Sequence, residues 1–153
     1  MSMSENLRLG TIDDASQIAS FQVAMAMETE SKVLCEDSVL TAVRSVFSDS
    51  AKGFYVVADR DDVVVGSLLI TYEWSDWRNS NMWYIQSVYV APEHRRKGIF
   101  QRLYQKVIEL AKSESVSYVR LYVETDNKVA QAIYERLGMK RLPYYMYDVE
   151  IDA

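Results

Sequence analysis

Apolar positions change their period several times along the chain, and each change marks an expected element. After a short apolar run at residues 7–9, Thr11-Ile12-Asp13-Asp14 gives an acidic helix start; Ile18, Phe21, Val23 and Met25 then predict a helix with a broad buried face. Its far end turns acidic, with Glu28, Glu30, Glu36 and Asp37 flanking Cys35. A second helix is predicted over residues 39–47, with Leu40, Val43 and Phe47 on one face. Gly53 closes that helical region. Residues 54–58 read as a strand, residues 59–62 as a hairpin turn, and residues 63–70 as the returning strand. Residues 72–81 mix aromatic and polar side chains, and a further apolar strand occupies residues 83–90.

The second half begins with Ala91-Pro92-Glu93 and the basic turn His94-Arg95-Arg96-Lys97-Gly98. A long amphipathic helix follows from Ile99, with Leu103, Val107, Ile108 and Ala111 at helical spacing. Residues 117–123 predict a strand, and Asp126-Asn127 opens another helix carrying Ala130, Ile133, Tyr134 and Leu137, stopped by Gly138. Residues 139–142 and 144–151, around Pro143, are expected to form two closing strands. The resulting order, β-α-α-β-β-β-α-β-α-β-β, is that of an α/β protein with a mixed sheet flanked by helices. The strand-helix-strand unit from Trp83 to Val123 is a right-handed crossover joining parallel strands.

Composition narrows the function. The 153 residues are expected to form a single domain, and a net charge of −5 argues against a nucleic-acid binder held by broad phosphate contacts. One cysteine and one histidine (Cys35 and His94) exclude a disulfide framework and clustered thiolate or imidazole metal sites, so no metal is expected. No apolar run reaches the roughly 20 residues of a membrane span, and the polar stretch at residues 1–10 has no leader-like core, so a cytoplasmic location is expected. In this acidic chain, three cations beside Gly98 at a helix start are misplaced against the positive end of the macrodipole. They imply an anion there, since freed N–H groups and a glycine make a phosphate cradle.

The combination of strand, Arg95-Arg96-Lys97-Gly98-Ile99-Phe100, long helix, strand, Asn127, Tyr134 and Leu137-Gly138-Met139 resembles the GNAT superfamily of acetyl-CoA-dependent N-acetyltransferases. In the family's cofactor motif, Gln/Arg-x-x-Gly-x-Gly/Ala, Arg95 and Gly98 match, and Phe100 departs from the small last residue. The resemblance implies a GNAT fold and acetyl-CoA as co-substrate. It implies that Val88, Tyr89 and Val90 pair their backbone with the pantetheine arm, and that Arg95, Arg96, Lys97, Gly98, Ile99, Phe100 and Gln101 hold the pyrophosphate. Asn127 would contact the cofactor arm, and Tyr134 would stand near the thioester sulfur and protonate the departing thiolate, as a phenol of pKa about 10 can. The Val88 N–H would polarise the thioester carbonyl. His94 is read as a solvated turn residue.

Residues 72–77 followed by residues 83–86 are similar to the strand-turn-strand of diamine and polyamine N-acetyltransferases. Glu73, Trp74, Asp76 and Trp77, with Glu28 and Glu30, would suit an ammonium-bearing acceptor through ion pairing and cation–π contact. Gln86 occupies the place where many family members carry a glutamate base. The base is therefore open among Glu28, Glu30, Glu73 and Asp76 acting through water, unless the amine arrives deprotonated; Glu28 and Glu73 lead, and Ser87 would orient the water. The expected reaction is direct transfer of acetyl to a primary amine, preferably a small cationic one, in a ternary complex. Acetylation of a protein N-terminus or lysine, and a non-catalytic CoA-binding sensor, remain the alternatives. Sheet edges and the aromatic residues 144–147 leave a homodimer open.

Overall fold

The computed structural model describes residues 5–152. The first four residues of the polar N-terminal stretch, and residue 153 of the expected domain, lie outside the described residues. The chain divides into two compact units, Met1–Leu121 and Tyr122–Ala153.

The first unit holds a five-stranded sheet in the order β1-β2-β3-β4-β5. The strands are β1 (Asn6–Leu9), β2 (Phe54–Arg60), β3 (Val63–Ser75), β4 (Ser80–Val90) and β5 (Val119–Arg120). The first four pair antiparallel, and β5 runs parallel to β4. Helices α1 (Ala15–Glu30), α2 (Glu36–Ser48) and α3 (Ile99–Ser113) complete the unit. The central strands are apolar without interruption because both faces are covered. On one face Val56, Ala58, Leu68, Ile70, Trp83 and Ile85 pack with Ile99, Leu103, Val107 and Ala111 of α3. On the other, Tyr55, Val57, Val64 and Tyr89 pack with Ile18, Ala19 and Phe21 of α1 and Val43 of α2. The expected α/β architecture with a mixed sheet is the one observed.

Boundaries moved where pairing prevails over local pattern. The β2–β3 turn is the two-residue Asp61-Asp62 pair at φ 53° and 64°, a left-handed turn matched to strand twist. Asp59 and Arg60, expected in that turn, belong to β2, because Asp59 is held by Arg8 of β1 at 2.7 Å. The stretch at residues 72–81 extends the β3–β4 hairpin, whose ladder reaches Ser75 opposite Ser80. The strand expected over residues 117–123 shortens to Val119–Arg120, which pair with Trp83 and Tyr84.

In the second unit, α4 (Lys128–Arg136) starts and stops as its signals require. The Asn127 side chain accepts the Ala130 N–H at 3.1 Å, and Gly138 at φ 97° lets the Met139 N–H reach the Tyr134 carbonyl at 3.0 Å. The two closing strands are corrected: residues 139–142 and 144–151 adopt no strand, and Tyr144, Tyr145, Met146, Tyr147, Val149 and Ile151 are exposed. Alternation only equips a segment to pair. No ladder among the described residues engages this one, and Pro143 has no N–H to contribute.

Candidate active site

The site grows from an irregularity in β4. Ser67 of β3 faces Tyr89, whereas Leu69 faces Gln86, so Ser87 and Val88 share the space opposite Leu68. Ser87 takes up the extra residue at φ 54°, a left-handed conformation costly for a side chain with a Cβ. Beyond Tyr84, β5 pairs no further with β4. The stretch predicted to offer its backbone to a cofactor arm, Val88 to Val90, therefore begins in the bulge and lies past the β5 pairing. The side chain of Ser67, opposite Tyr89, is fully buried and its hydroxyl has no partner among the described residues.

From Val90 the chain passes Ala91, whose N–H is tied to Val65 at 2.9 Å, and a single 3-10 turn at Pro92–His94. Arg96 and Gly98 then both adopt left-handed conformations, φ 64° and 79°, and α3 begins at Ile99 with no side-chain cap. A helix start leaves its first N–H groups without intrahelical partners, so this end can accept an anion. The side chains of Arg96 and Lys97 are exposed and form no ion pair among the described residues. An arriving pyrophosphate would meet these two cations, so the residues present fit the phosphate end of coenzyme A. Phe100, the departure from the family motif, turns its ring toward Tyr104 one helical turn on, with centroids 6.4 Å apart. Ile99 is buried in the core and Gln101 exposed; for both, only backbone matters to the expected role.

Arg95 behaves differently from its two neighbours. It donates from Nε to the Val90 carbonyl at 2.8 Å and from Nη2 to Glu28 at 2.9 Å, and it lies 5.1 Å above the Tyr89 ring. The second Glu28 oxygen accepts the Tyr89 hydroxyl at 2.8 Å. Arg95 and Tyr89 hold the Glu28 carboxyl below the usual carboxylate range, which makes it a weak proton acceptor. Burial, with Glu28 second, pushes the Tyr89 phenol up. Of the two leading base candidates, Glu28 thus has both carboxylate oxygens bonded, one to Tyr89 and one to Arg95.

The other candidate, Glu73, lies on β3. Cross-strand partners share a face, so Thr71 and Glu73 stand with Tyr84 and Gln86 of β4 on the side covered elsewhere by α1 and α2, with Arg120 of β5 beside them. Gln86 donates to the Thr71 hydroxyl at 2.7 Å. Glu73 is 4.0 Å from Arg120. Trp74, Asp76 and Trp77 are exposed at the hairpin tip, Trp77 almost wholly, and Glu30 is exposed at the end of α1. The aromatic ring that stacks cations in this region is Tyr118, which sequence reasoning did not single out. Arg78 lies 4.6 Å above it and Arg120 5.4 Å, and Arg78 also bonds its hydroxyl at 2.6 Å. Only the register of a parallel strand two residues long puts Tyr118 there, and no local pattern announces it.

In the second unit, Asn127 spends its carbonyl oxygen on the α4 cap, leaving its amide group for other contacts. Tyr134 is half-buried, and burial pushes its phenol above the ordinary value, so it stays protonated at neutral pH. Among the described residues no cluster of three or more His, Cys, Asp or Glu is placed to hold a metal ion.

A bulged central strand, a left-handed basic turn and an uncapped helix on a mixed sheet make up the scaffold of an acetyltransferase. The sequence profile of the Acetyltransferase (GNAT) family matches residues 21–139, and the chain belongs to that family. Curated relatives include a thialysine N-epsilon-acetyltransferase from Bos taurus, 38% identical over 79 residues that are 52% of this chain and 46% of the relative. Its counterpart from Mus musculus is 36% identical over 80 residues, again 52% and 46% of the two chains. The match thus spans about half the length of these relatives. Among solved structures, a possible acetyltransferase from Clostridium difficile 630 superposes with a TM-score of 0.92 at 42% identity, covering 98% of this chain and 99% of the other. A predicted acetyltransferase from Clostridium acetobutylicum, solved with acetyl-CoA, shares the fold at a TM-score of 0.78 and 14% identity, over 95% and 96% of the two chains.

Proposed function

We propose that this protein transfers the acetyl group of acetyl-CoA to a primary amine of a small cationic acceptor, by direct attack while both are bound. The observation that carries the reading is the left-handed turn at Arg96 and Gly98, opening onto an uncapped α3 beside two exposed cations, Arg96 and Lys97, in a member of the acetyltransferase family. The thioester supplies the activated acyl group; the chain's own contribution is to position, polarise and move protons.

Arg96, Lys97 and the first turn of α3 hold the pyrophosphate. Backbone from Val88 to Val90 receives the cofactor arm, with the Val88 N–H aimed at the thioester carbonyl as negative charge grows on its oxygen. Asn127 contributes its side-chain amide group, and Tyr134, protonated at neutral pH, gives its proton to the departing thiolate sulfur. On the acceptor side, Glu73 with Asp76 and Glu30 receives the ammonium, and Glu73 removes the amine proton through water. Trp74 and Trp77 add their rings. No covalent acyl-enzyme is required, because the amine attacks the thioester directly and the two substrates need only be held in reach of each other.

The acceptor belongs to the lysine-like and diamine class. The thialysine N-epsilon-acetyltransferases that match half of this chain support that choice, as does the acidic and aromatic β3–β4 hairpin. Residues 1–153 act as a single acetyltransferase domain in this reading, in the cytoplasm, independently of nucleic acid and membrane. A homodimer belongs to the same proposal, supported by the exposed apolar side chains from Tyr144 to Ile151. The test is CoA release from acetyl-CoA across a panel containing lysine, thialysine, a short diamine, a polyamine and peptides with a free N-terminus. Small amines are expected to turn over fastest. Turnover confined to peptides would move the assignment to protein acetylation, and CoA binding with no turnover to a sensor.

A further inference from the structure

We propose that Glu28 is a positioning residue for the cofactor loop, acting through Arg95 and taking no part in amine deprotonation. The inference rests on the acetyl-CoA reading above and assigns one of its carboxylates a different task.

Glu28 sits in the last full turn of α1, where the helix dipole disfavours a carboxylate. Its compensation comes from residues 61 and 67 positions away, Tyr89 and Arg95, one on each carboxylate oxygen at 2.8 and 2.9 Å. Tyr89 is buried in the core formed with α1, so one end of this link is fixed. The other end reaches the main chain: the same guanidinium bonds the Val90 carbonyl at 2.8 Å and thereby closes a ring over residues 91–94. That ring sets the direction in which the chain leaves β4 and enters the left-handed residue Arg96.

Left-handed backbone at a residue with a Cβ persists only where its surroundings over-determine it. The loop shows such bracing from its far side as well. Arg102 of α3 donates to the Lys97 carbonyl at 3.1 Å and is itself held by Glu5 at 2.6 Å. Each end of the segment Arg95–Gly98 is therefore clasped by an arginine that grips a main-chain carbonyl and is anchored by a distant glutamate. Arg96 and Lys97, between the clasps, keep their charges for a ligand. An exposed ion pair alone would contribute little. This one differs by its tie to a buried phenol and to the turn's main chain.

The test measures CoA affinity by calorimetry and acetyl transfer by steady-state kinetics for wild type, Glu28→Ala, Glu28→Gln, Arg95→Ala and the double variant Glu28→Ala/Arg95→Ala. CoA dissociation constants and the KM for acetyl-CoA are expected to rise roughly tenfold in Glu28→Ala, with kcat at saturation changed less than about twofold. Glu28→Gln, which keeps an acceptor for the Tyr89 hydroxyl, should lie between wild type and alanine. The double variant should bind CoA no more weakly than Arg95→Ala, since one residue works through the other. Unchanged CoA affinity in Glu28→Ala, or additive losses in the double variant, overturns the inference. So does a collapse of kcat in Glu28→Gln with loss of the acidic limb of the pH profile, which would make Glu28 the base. Failure of wild type to bind CoA would instead remove the parent reading, an outcome distinct from any of these.

Discussion

Gln86 donates its side-chain amide to the Thr71 hydroxyl across the β3–β4 ladder, 2.7 Å away, at the position where a carboxylate base was expected. The threonine hydroxyl can reverse its role and donate to a carboxylate, so Gln86→Glu keeps the contact while adding a proton acceptor to that face of the sheet. The variant is expected to fold normally and to shift the acidic limb of the pH dependence of kcat/KM. An unchanged profile would show that this position does not govern amine deprotonation.

Tyr134 is assigned the proton that the thiolate takes as it leaves. Burial raises its phenol, so the acidic form persists through neutral pH and is lost only on the alkaline side. Tyr134→Phe should lower kcat on the order of 10²-fold, as loss of a general acid does, with a much smaller effect on CoA affinity. Equal losses in kcat and in CoA binding would assign the hydroxyl to binding.

The bulge makes a backbone prediction. Ser87 holds φ 54°, so Ser87→Gly should be tolerated. Ser87→Val, β-branched at a left-handed position, should cost about 1–3 kcal/mol in denaturant unfolding. It should also weaken CoA binding, because straightening β4 realigns Val88. A valine variant as stable as wild type would place the strain elsewhere.

Stability should depend on acid through the cluster that ties β1 to the start of α1. Arg8 bonds Asp14 and Asp59, each at 2.7 Å, and both carboxylates are largely buried. The Arg8 hydrogen bond holds the Asp14 carboxyl below its ordinary value. A depressed folded-state pKa stabilises at any pH above the unfolded value, near 4, and that stabilisation disappears as pH falls through the folded value. Thermal midpoints should therefore decline below about pH 4. Arg8→Met, which leaves two buried carboxylates without their cation, should cost about 2–3 kcal/mol at pH 7, allowing for the partial exposure of Arg8. Relative to wild type it should recover on acidification. A deficit constant with pH would mean that lost packing, not charge, is responsible.

Sequence and structure agree where information is local. The α3 stripe of Ile99, Leu103, Val107 and Ala111, the Asn127 cap and the Gly138 stop are written in adjacent residues, and so is the cationic turn. The bulge was illegible because serine is not a residue whose presence signals a left-handed angle. Glu28 looked like a free carboxylate because its partners lie 61 and 67 residues on, and only the packing of α1 against Tyr89 brings them together. Glu73 and Arg120 are paired by the parallel register of β4 and β5, which no periodicity encodes. The segment from Tyr144 to Ile151 carries a strand's alternation, yet the pattern states what it can pair with and not whether a partner is present.

The central claim is acetyl transfer to a small amine. Its most direct test is product analysis by mass spectrometry after incubating the protein with acetyl-CoA and, separately, lysine, thialysine and a short diamine. The account predicts one N-acetyl product per CoA released, and no acetylated protein when the amine is omitted. CoA binding accompanied by no acetylated amine from any acceptor would contradict it.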